Sequence, residues 1–418
     1  MRPILRVPLV IAAAATLAAA AGCGGGSSAP KAGGGGGGGG SGGPIVIGSI
    51  HPLTGPLAGD GKLMDDAVKM AVDDINAAGG IKALDGRKLA VKSGDSQGKP
   101  EVGQSEAQRI IQSGATALVG TYQSDVTQNV AAVAERNQVP LVIDVAVADQ
   151  ILQQGYRYTF RVQPNASSMG RLGADDLARI SEGSVKTVAY LHDSSDFGTS
   201  VSKAFTKEAS TKGIRVVKDV SYDPASLTDA TTIVSKAASA HPDVIVVTGY
   251  YADSLLIAKT IASVKPDVRA VYGIADGGFD NHQFPKDAGK AAAGYLSTNY
   301  HFSATNPEVK KIRKQFEQKY GEPMRTDAVL AYQAVQVIAK GLEQAGSTDP
   351  TKLRDAISGL RIDEPLVANK GPIVFNDKGQ NVHAIPIVMQ VRSGKVRQVY
   401  PAKYAEAKLK FPAPPEKS

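Results

Sequence analysis

The stretch that decides the fold is IVIGSIHPLTGPLAGDGKLMDDAVKMAVDDINAAGGI, residues 45–81. Its first six residues form a β-branched apolar run, which predicts a buried parallel strand. A loop of Pro, Gly and Thr follows, and from about Lys62 apolar residues recur every three to four positions, which predicts an amphipathic helix. Gly79 and Gly80 end this helix, because glycine tolerates the left-handed conformation just past a helix. A strand, loop and helix in this order predict an α/β domain, and open α/β sheets bind ligands at that edge.

Later segments alternate between the same two patterns. The predicted strands cover residues 89–93, 115–121, 139–143, 185–192, 214–222, 244–249, 268–274, 294–299, 385–391 and 396–400. Two predicted helices begin at Ser124 and Gly170, and the others cover 101–113, 201–212, 229–239, 254–264, 309–320, 327–345 and 351–358. This order indicates two successive doubly wound units.

Length, composition and charge bound the class of protein. The chain has 418 residues, of which 42% are hydrophobic and 21% charged, so it is globular and long enough for two domains. The formal net charge of +7 falls to +5 when Arg2 and Arg6 are removed with the predicted export signal, a weak excess. Lysines alternate with acids, as in KKIRKQFEQKYGE, so no nucleic-acid surface is expected. The six histidines are isolated, and we expect neither a metal site nor a cofactor.

The N-terminus predicts export and attachment to a membrane. Residues 1–22 carry two arginines, an apolar core and small residues, which indicates a signal peptide. LAAAAGC, which ends at the single cysteine, Cys23, resembles a bacterial lipobox and predicts a lipid on that cysteine, although Leu17 lies farther from it than usual. Ordinary cleavage at the alanines is the alternative. Residues 23–44 are rich in glycine and serine and predict a flexible tether.

A family resemblance runs through most of the chain. PLTGP and AVDDINAAGGI are followed, in order, by VGTYQSDVTQNVAAVAERNQVPLV, YRYTFRVQPNASSMG, VAYLHDSSDFG, PDVIVVTGYY and KGPIVFNDKG. Together these resemble the periplasmic leucine/isoleucine/valine-binding proteins of ABC transporters. The resemblance implies the type I periplasmic binding protein fold, an α/β fold with two doubly wound Rossmann-like lobes joined by a three-strand hinge. The implied lobes are residues 45–165 with 300–375, and 166–299 with 376–418.

No sequence motif indicates catalysis. The chain contains no nucleophile elbow, dinucleotide fingerprint or P-loop. The segment SVSK at residues 200–203 matches S-x-x-K, but its companion motifs are missing. We therefore expect no enzyme, while an enzyme on the same scaffold stays an alternative.

The predicted helix at Ser124 is the first candidate binding element. It follows a strand that ends at Gly120, so its unsatisfied backbone N–H groups and the Ser124 hydroxyl suit a ligand carboxylate. Tyr122 and Gln123 flank this position. The alternative is that Ser124 only caps its own helix.

The resemblance implies the remaining site residues. The matching serine binds the ligand carboxylate in the family, and backbone groups at Val145 and Ala146 bind the head group. Phe197 and Tyr250 are the implied aromatic residues of the second lobe.

The acid that accepts the ligand ammonium falls near Asp276, but two other positions depart from the family. Val147 replaces a threonine that contacts the ammonium, and Asp60 replaces an aromatic wall of the side-chain pocket. The family default is an aliphatic amino acid, and these departures leave a more polar or cationic ligand open.

We therefore expect an extracytoplasmic, lipid-anchored and monomeric solute-binding protein of an ABC importer. Its partners would be a small-molecule ligand, an amino acid or similar carboxylate, and a membrane permease. A sensor that presents its closed form to a membrane receptor is the alternative.

Overall fold

The computed structural model describes residues 42–415. The predicted signal peptide, Cys23 and nearly all of the glycine-rich tether lie outside the described residues. No helix within residues 42–415 has the length and apolarity that crossing a membrane requires.

The first lobe is built on a five-stranded parallel sheet with the strand order β2-β1-β3-β4-β5. Its strands are β1 (Ile45–His51), β2 (Leu89–Asp95), β3 (Ala115–Gly120), β4 (Leu141–Ile143) and β5 (Thr159–Arg161). The helices between them are α1 (Ala58–Ala77), α2 (Pro100–Gln112), α3 (Ser124–Arg136) and α4 (Gln150–Gln153). The β-branched run therefore forms the predicted parallel strand, in which Ile45, Ile47 and Ile50 are buried.

The second lobe contains a seven-stranded sheet with the order β14-β13-β10-β9-β8-β6-β7. In this sheet β13 runs antiparallel to both of its neighbours, β10 and β14, and the other pairings are parallel. The strands are β6 (Thr187–Asp193), β7 (Arg215–Tyr222), β8 (Val244–Thr248), β9 (Ala270–Ile274), β10 (Leu296–Asn299), β13 (Ile387–Arg392) and β14 (Lys395–Tyr400). The helices are α5 (Ala166–Ile180), α6 (Asp196–Thr211), α7 (Thr231–Ala238), α8 (Tyr251–Val264) and α9 (Phe284–Asp287).

The elements between β10 and β13 return to the first lobe. They are α10 (Pro307–Tyr320), α11 (Thr326–Ala345), α12 (Pro350–Ser358) and the two-stranded ribbon of β11 (Arg361–Ile362) and β12 (Ile373–Val374). Their apolar faces share one buried cluster with α1 and with the side chains of β1 and β3 that point to that face. Helices α2 and α3 cover the opposite face. Each sheet is thus buried on both sides, as the doubly wound pattern predicts.

The chain crosses between the two sheets three times, after β5, after β10 and after β12. Two of these crossings pair with each other, because the Arg161 N–H donates to Gly379 O at 2.8 Å and the Asn381 N–H donates to Arg161 O at 3.0 Å. The fold is therefore the predicted type I architecture, with adjacent strands linking the lobes.

Several helices begin earlier than the sequence predicts. Helix α1 begins at Ala58 rather than near Lys62, and α6 begins at Asp196 rather than at residue 201. The start of α6 is fixed by the Asp193 carboxylate, which accepts the Ser195 N–H at 2.8 Å.

Helix α5 begins at Ala166 rather than Gly170 because the Asn165 side chain caps it by accepting the Ser168 N–H at 3.0 Å. Such caps are set by polar residues that lie before the apolar pattern begins. The pattern alone therefore places these helix starts too late.

Candidate functional site

The carboxyl ends of strands from both sheets face a common cleft. Tyr122 and Val145 follow β3 and β4 of the first lobe, while Phe197, Gly249 and Ala275 follow β6, β8 and β9 of the second. All five residues line one cavity. This is the edge at which open α/β sheets bind ligands.

Two neighbouring cavities lie in the cleft and share Tyr122, Gly277 and Tyr300. The narrow cavity has a volume of about 20 Å³, which is roughly the space that one water molecule needs. The wide cavity measures about 350 Å³, which is within the range of small-molecule sites. A solute that enters the narrow cavity must therefore displace its walls.

Ser124 is the first residue of α3 and lines the narrow cavity. The N-cap is Gln123, whose side chain makes no capping hydrogen bond. The Ser124 hydroxyl does not cap its own helix and instead accepts the Ala148 N–H at 3.2 Å. The first turn of α3 therefore presents backbone N–H groups without an intrahelical acceptor next to a buried hydroxyl.

The loop of residues 144–148 forms the adjoining wall, where Val145, Ala146 and Val147 are buried and line the narrow cavity. The Ala146 N–H donates to Thr121 O at 3.3 Å, and its carbonyl accepts from Gln163 Nε2 at 2.9 Å. Both backbone groups of Ala146 are thus bonded within the protein, whereas the resemblance implies that they bind the head group. In this conformation Ala146 lines the cavity, and both of its backbone groups are already hydrogen-bonded.

A buried arginine that the sequence analysis missed holds the same loop. Arg161 is fully buried, and its guanidinium donates to Val147 O at 2.8 Å and to Ala148 O at 2.7 Å. Burial lowers the pKa of Arg161 to about 10, so the guanidinium stays charged at neutral pH. Its two parallel donors fix the carbonyls of a loop that has no regular secondary structure.

Three aromatic rings enclose the narrow cavity from both lobes. The ring centroids of Tyr122 and Tyr250 are 5.7 Å apart, and those of Phe197 and Tyr250 are 5.4 Å apart. These spacings are typical of favourable aromatic pairs. Burial raises the pKa of the Tyr122 and Tyr250 hydroxyls well above their usual value, so both stay neutral.

Asp60 lines the wide cavity, and its carboxylate is already paired within the protein. Its Oδ1 pairs with an Arg325 guanidinium nitrogen at 2.6 Å, and its Oδ2 accepts the Tyr122 hydroxyl at 3.2 Å. The sequence predicts an added charge here, but no local pattern indicates its partner Arg325, which lies 265 positions later at the start of α11. The ion pair with Arg325 neutralises the charge of Asp60, which stands where the resemblance implies an aromatic wall.

Asp276 and Gln123 line neither cavity. Asp276 is fully buried, and its carboxylate accepts the Ser254 hydroxyl at 2.6 Å and the N–H groups of Gly278 and Phe279, each at 2.8 Å. Its carboxylate is therefore bonded to its own loop and to α8 in this conformation, and its contact with a ligand stays a prediction. The Gln123 side chain reaches Gly98 O at 3.2 Å, outside the cleft.

One buried series has the composition of a catalytic triad. The Ser49 hydroxyl lies 3.1 Å from His51 Nδ1, and His51 Nε2 lies 2.7 Å from Asp144 Oδ2. All three side chains are fully buried, and Ser49 donates its proton to Asp65 at 2.6 Å. No substrate reaches this hydroxyl, so the series has a structural role in tying β1 to the loop at residue 144. Within residues 42–415 no cluster of three or more His, Cys, Asp or Glu side chains is arranged to hold a metal.

Known proteins share this sequence pattern over most of the chain. The profile of a family described as periplasmic binding protein matches residues 44–395. A Leu/Ile/Val-binding protein homolog 3 from Brucella melitensis biotype 1 is 30% identical over 335 residues, which cover 80% of this chain and 88% of that protein.

Solved structures share the fold at lower identity. A branched-chain amino acid transporter substrate-binding protein from Streptococcus pneumoniae, in complex with isoleucine, is 24% identical with a TM-score of 0.73, covering 88% of this chain and 100% of that one. A solute-binding protein of an ABC transporter from R. palustris, in complex with benzoate, is 21% identical with a TM-score of 0.73, covering 90% of this chain and 98% of that one. These similarities show the same two-lobed architecture.

Proposed function

Because this chain belongs to the periplasmic binding protein family, we propose that it is the extracytoplasmic solute-binding protein of an ABC importer. It binds a small solute between its lobes and delivers it to a membrane permease. The observation that carries the proposal is the convergence at one cleft of the α3 N-terminus, the Ser124 hydroxyl and aromatic rings from both lobes.

The solute carries a carboxylate. A helix N-terminus with free N–H groups and a neighbouring hydroxyl suits a compact anion, because the helix dipole places partial positive charge there. Two structural relatives bind isoleucine and benzoate. Both ligands contain a carboxylate, whereas only isoleucine has an amine and an aliphatic side chain. In our proposal Ser124 and the first turn of α3 bind this group, Val145, Ala146 and Val147 wall it, and Phe197 and Tyr250 cover it.

Closure of two lobes presents the bound state to the permease. Residues 45–165 with 300–375 form one proposed lobe, and 166–299 with 376–418 form the other. The pairing of the crossing segments supports a shared hinge, and the Gln128 side chain donates across the cleft to Asp196 Oδ2 at 2.5 Å. A permease recognises the liganded protein through this difference in shape.

Closure can be tested by small-angle scattering combined with thermal unfolding. A bound amino acid is expected to raise the melting temperature, because ligand at about 100 times Kd stabilises the bound state by about 2.7 kcal/mol. The same ligand is expected to lower the radius of gyration. A stabilising amino acid that leaves the scattering curve unchanged would contradict closure.

A lipid on Cys23 anchors the monomer to the membrane in this proposal. The LAAAAGC sequence and the glycine-rich tether that follows support it. Cys23→Ser is expected to move the protein from the membrane fraction to the soluble fraction with an unchanged melting temperature, because the cysteine precedes the folded domain. Unchanged membrane association after fractionation would disprove the anchor.

A further inference from the structure

Two carboxylates from opposite lobes face the wide cavity. Asp280 lies in the loop after β9 of the second lobe, and Asp327 is the second residue of α11 on the first. Both are partly buried. Burial raises the pKa of Asp280 to about 7, and the negative charge of Asp327 adds to that rise. Burial raises the pKa of Asp327 to about 6 against the opposing effect of Arg325.

Neither carboxylate has a basic side chain in an ion pair among residues 42–415. Asp280 accepts only a neutral donor there, the Asn299 amide, at 2.9 Å. Arg325 offsets part of the rise in the pKa of Asp327, but its guanidinium pairs with Asp60 at 2.6 Å and donates to Gly59 O at 2.9 Å.

Lys310, Arg313 and Arg397 also line this cavity, and none of them forms an ion pair with Asp280 or Asp327 within residues 42–415. Arg313 stacks over the Phe302 ring at 3.9 Å and donates to Met324 O at 3.0 Å. Burial, Arg325 and Arg313 lower the pKa of His282, so this imidazole is neutral at pH 7. The remaining ionisable groups of the lining are Tyr122, Tyr300, His301, Lys310, Arg397 and Glu406.

An independent feature of the cavity also requires a hydrogen-bond donor. Gln398 is 1% exposed and lines the wide cavity. Its Nε2 donates to His301 Nδ1 at 2.7 Å and to Phe302 O at 2.9 Å, while its Oε1 accepts no hydrogen bond from the described residues. A buried acceptor without a donor costs about 1–3 kcal/mol, which a donating ligand group would remove. A ligand that donates hydrogen bonds would therefore satisfy an acceptor of this lining.

We propose that the wide cavity binds a cationic, hydrogen-bond-donating group of the solute, an ammonium or a guanidinium, between Asp280 and Asp327. This inference rests on the proposed function, because the narrow cavity holds the carboxylate at the other end of the same solute. The substrate class is then a basic amino acid or a similar elongated zwitterion. Attraction to the two carboxylates offsets the cost of removing the cation from water. Because the carboxylates belong to opposite lobes, the cation also draws the lobes together.

The test compares ligands that carry a side-chain cation with ligands that lack one. Norleucine is lysine without the side-chain amine, so calorimetric titration of lysine, arginine, norleucine and leucine isolates its contribution. Lysine or arginine is expected to bind roughly ten- to a hundredfold more tightly than norleucine, the range of a charge-assisted hydrogen bond. Asp280→Asn and Asp327→Asn are each expected to remove most of this difference and to leave norleucine within about threefold. The exposed Asp267→Asn is the matched control and is expected to change nothing.

The pH dependence gives a second readout with a defined sign. In the empty cleft the two carboxyls take up protons as the pH falls through about 7 and 6. A cationic ligand binds the ionised pair, so its affinity is expected to fall between pH 8 and pH 5, while that of norleucine stays level. The Asp280→Asn/Asp327→Asn double variant is expected to lose this dependence.

The outcomes separate this inference from the proposed function. If norleucine or leucine binds at least as tightly as lysine and arginine, the cation site is wrong and the carboxylate site stands. If none of the four amino acids binds the parent protein but another carboxylate such as benzoate does, the cation site is wrong and the carboxylate site stands; if no carboxylate binds, both are wrong.

Discussion

Tyr250→Ala is expected to weaken solute binding by roughly 30- to 1,000-fold, which corresponds to about 2–4 kcal/mol and is typical of a buried aromatic anchor. The Tyr250 ring lies between Phe197 and Tyr122, at 5.4 and 5.7 Å, and so joins the aromatic walls of both lobes. Its removal opens the narrow cavity to water and deletes the contact that the first lobe makes when it closes. Calorimetric titration of the ligand measures the loss directly.

Tyr250→Phe is the matched control, because it keeps the ring and removes only the hydroxyl. We expect its affinity to stay within about threefold of the parent, since the contacts of the ring carry the interaction. Thermal unfolding of both variants checks that α8 still forms. An alanine variant that binds like the parent would show that the solute does not contact this ring.

Ser124→Ala is expected to weaken binding by about ten- to a hundredfold, because it removes a charge-assisted hydrogen bond worth about 1.5–3 kcal/mol. The hydroxyl is buried and lies at the first turn of a 13-residue helix, where it adds to the field of the helix N-terminus. The loss should be the same for norleucine and lysine, because this serine contacts the carboxylate that both ligands share.

Stability should change less than affinity in this variant. The hydroxyl accepts one hydrogen bond, from the Ala148 N–H, whose loss costs about 1 kcal/mol. Ser105→Ala, on the exposed face of α2, is the control and is expected to leave the affinity unchanged. Equal affinities of Ser124→Ala and the parent would place the carboxylate elsewhere.

The sequence predicts the fold well because its signals are local and repeated. The β-branched run at Ile45, the apolar period from Leu63 onward and the strands of the second lobe all reappear in the structure. Strand β5 is missed because its three residues, TFR, are not an apolar run like the equally short β4, and β11 and β12 have only two residues each. Helix starts are placed late where a polar cap such as Asn165 precedes the apolar pattern.

The sequence predicts less of the chemistry of the cleft than of the fold, because this chemistry depends on contacts between residues that are distant in the chain. Arg325 neutralises Asp60 across 265 residues, and Arg161 fixes the Val147 carbonyl from inside the core. No local pattern marks either arginine as part of a site. Asp276 has the expected place in the chain, but its carboxylate bonds to its own loop, so the alignment of a motif did not give the direction of its side chain.

The two acids of the wide cavity are also difficult to predict from the sequence. Asp280 and Asp327 come from different lobes, and neither lies in a motif that the resemblance covers. Their importance follows from their partial burial and from the lack of an ion pair to either carboxylate within residues 42–415. The one local sign of a polar pocket in the sequence is Asp60, which stands where the resemblance implies an aromatic wall.

A crystal structure of the liganded protein would show whether a solute carboxylate binds at the N-terminus of α3 between the two lobes. The crystals should contain the amino acid that gives the largest increase in melting temperature. We expect a carboxylate oxygen within about 3 Å of Ser124 Oγ and of the first N–H groups of α3, with Tyr250 against the solute. A solute that lies outside this cleft, or whose carboxylate points away from Ser124, would contradict the account.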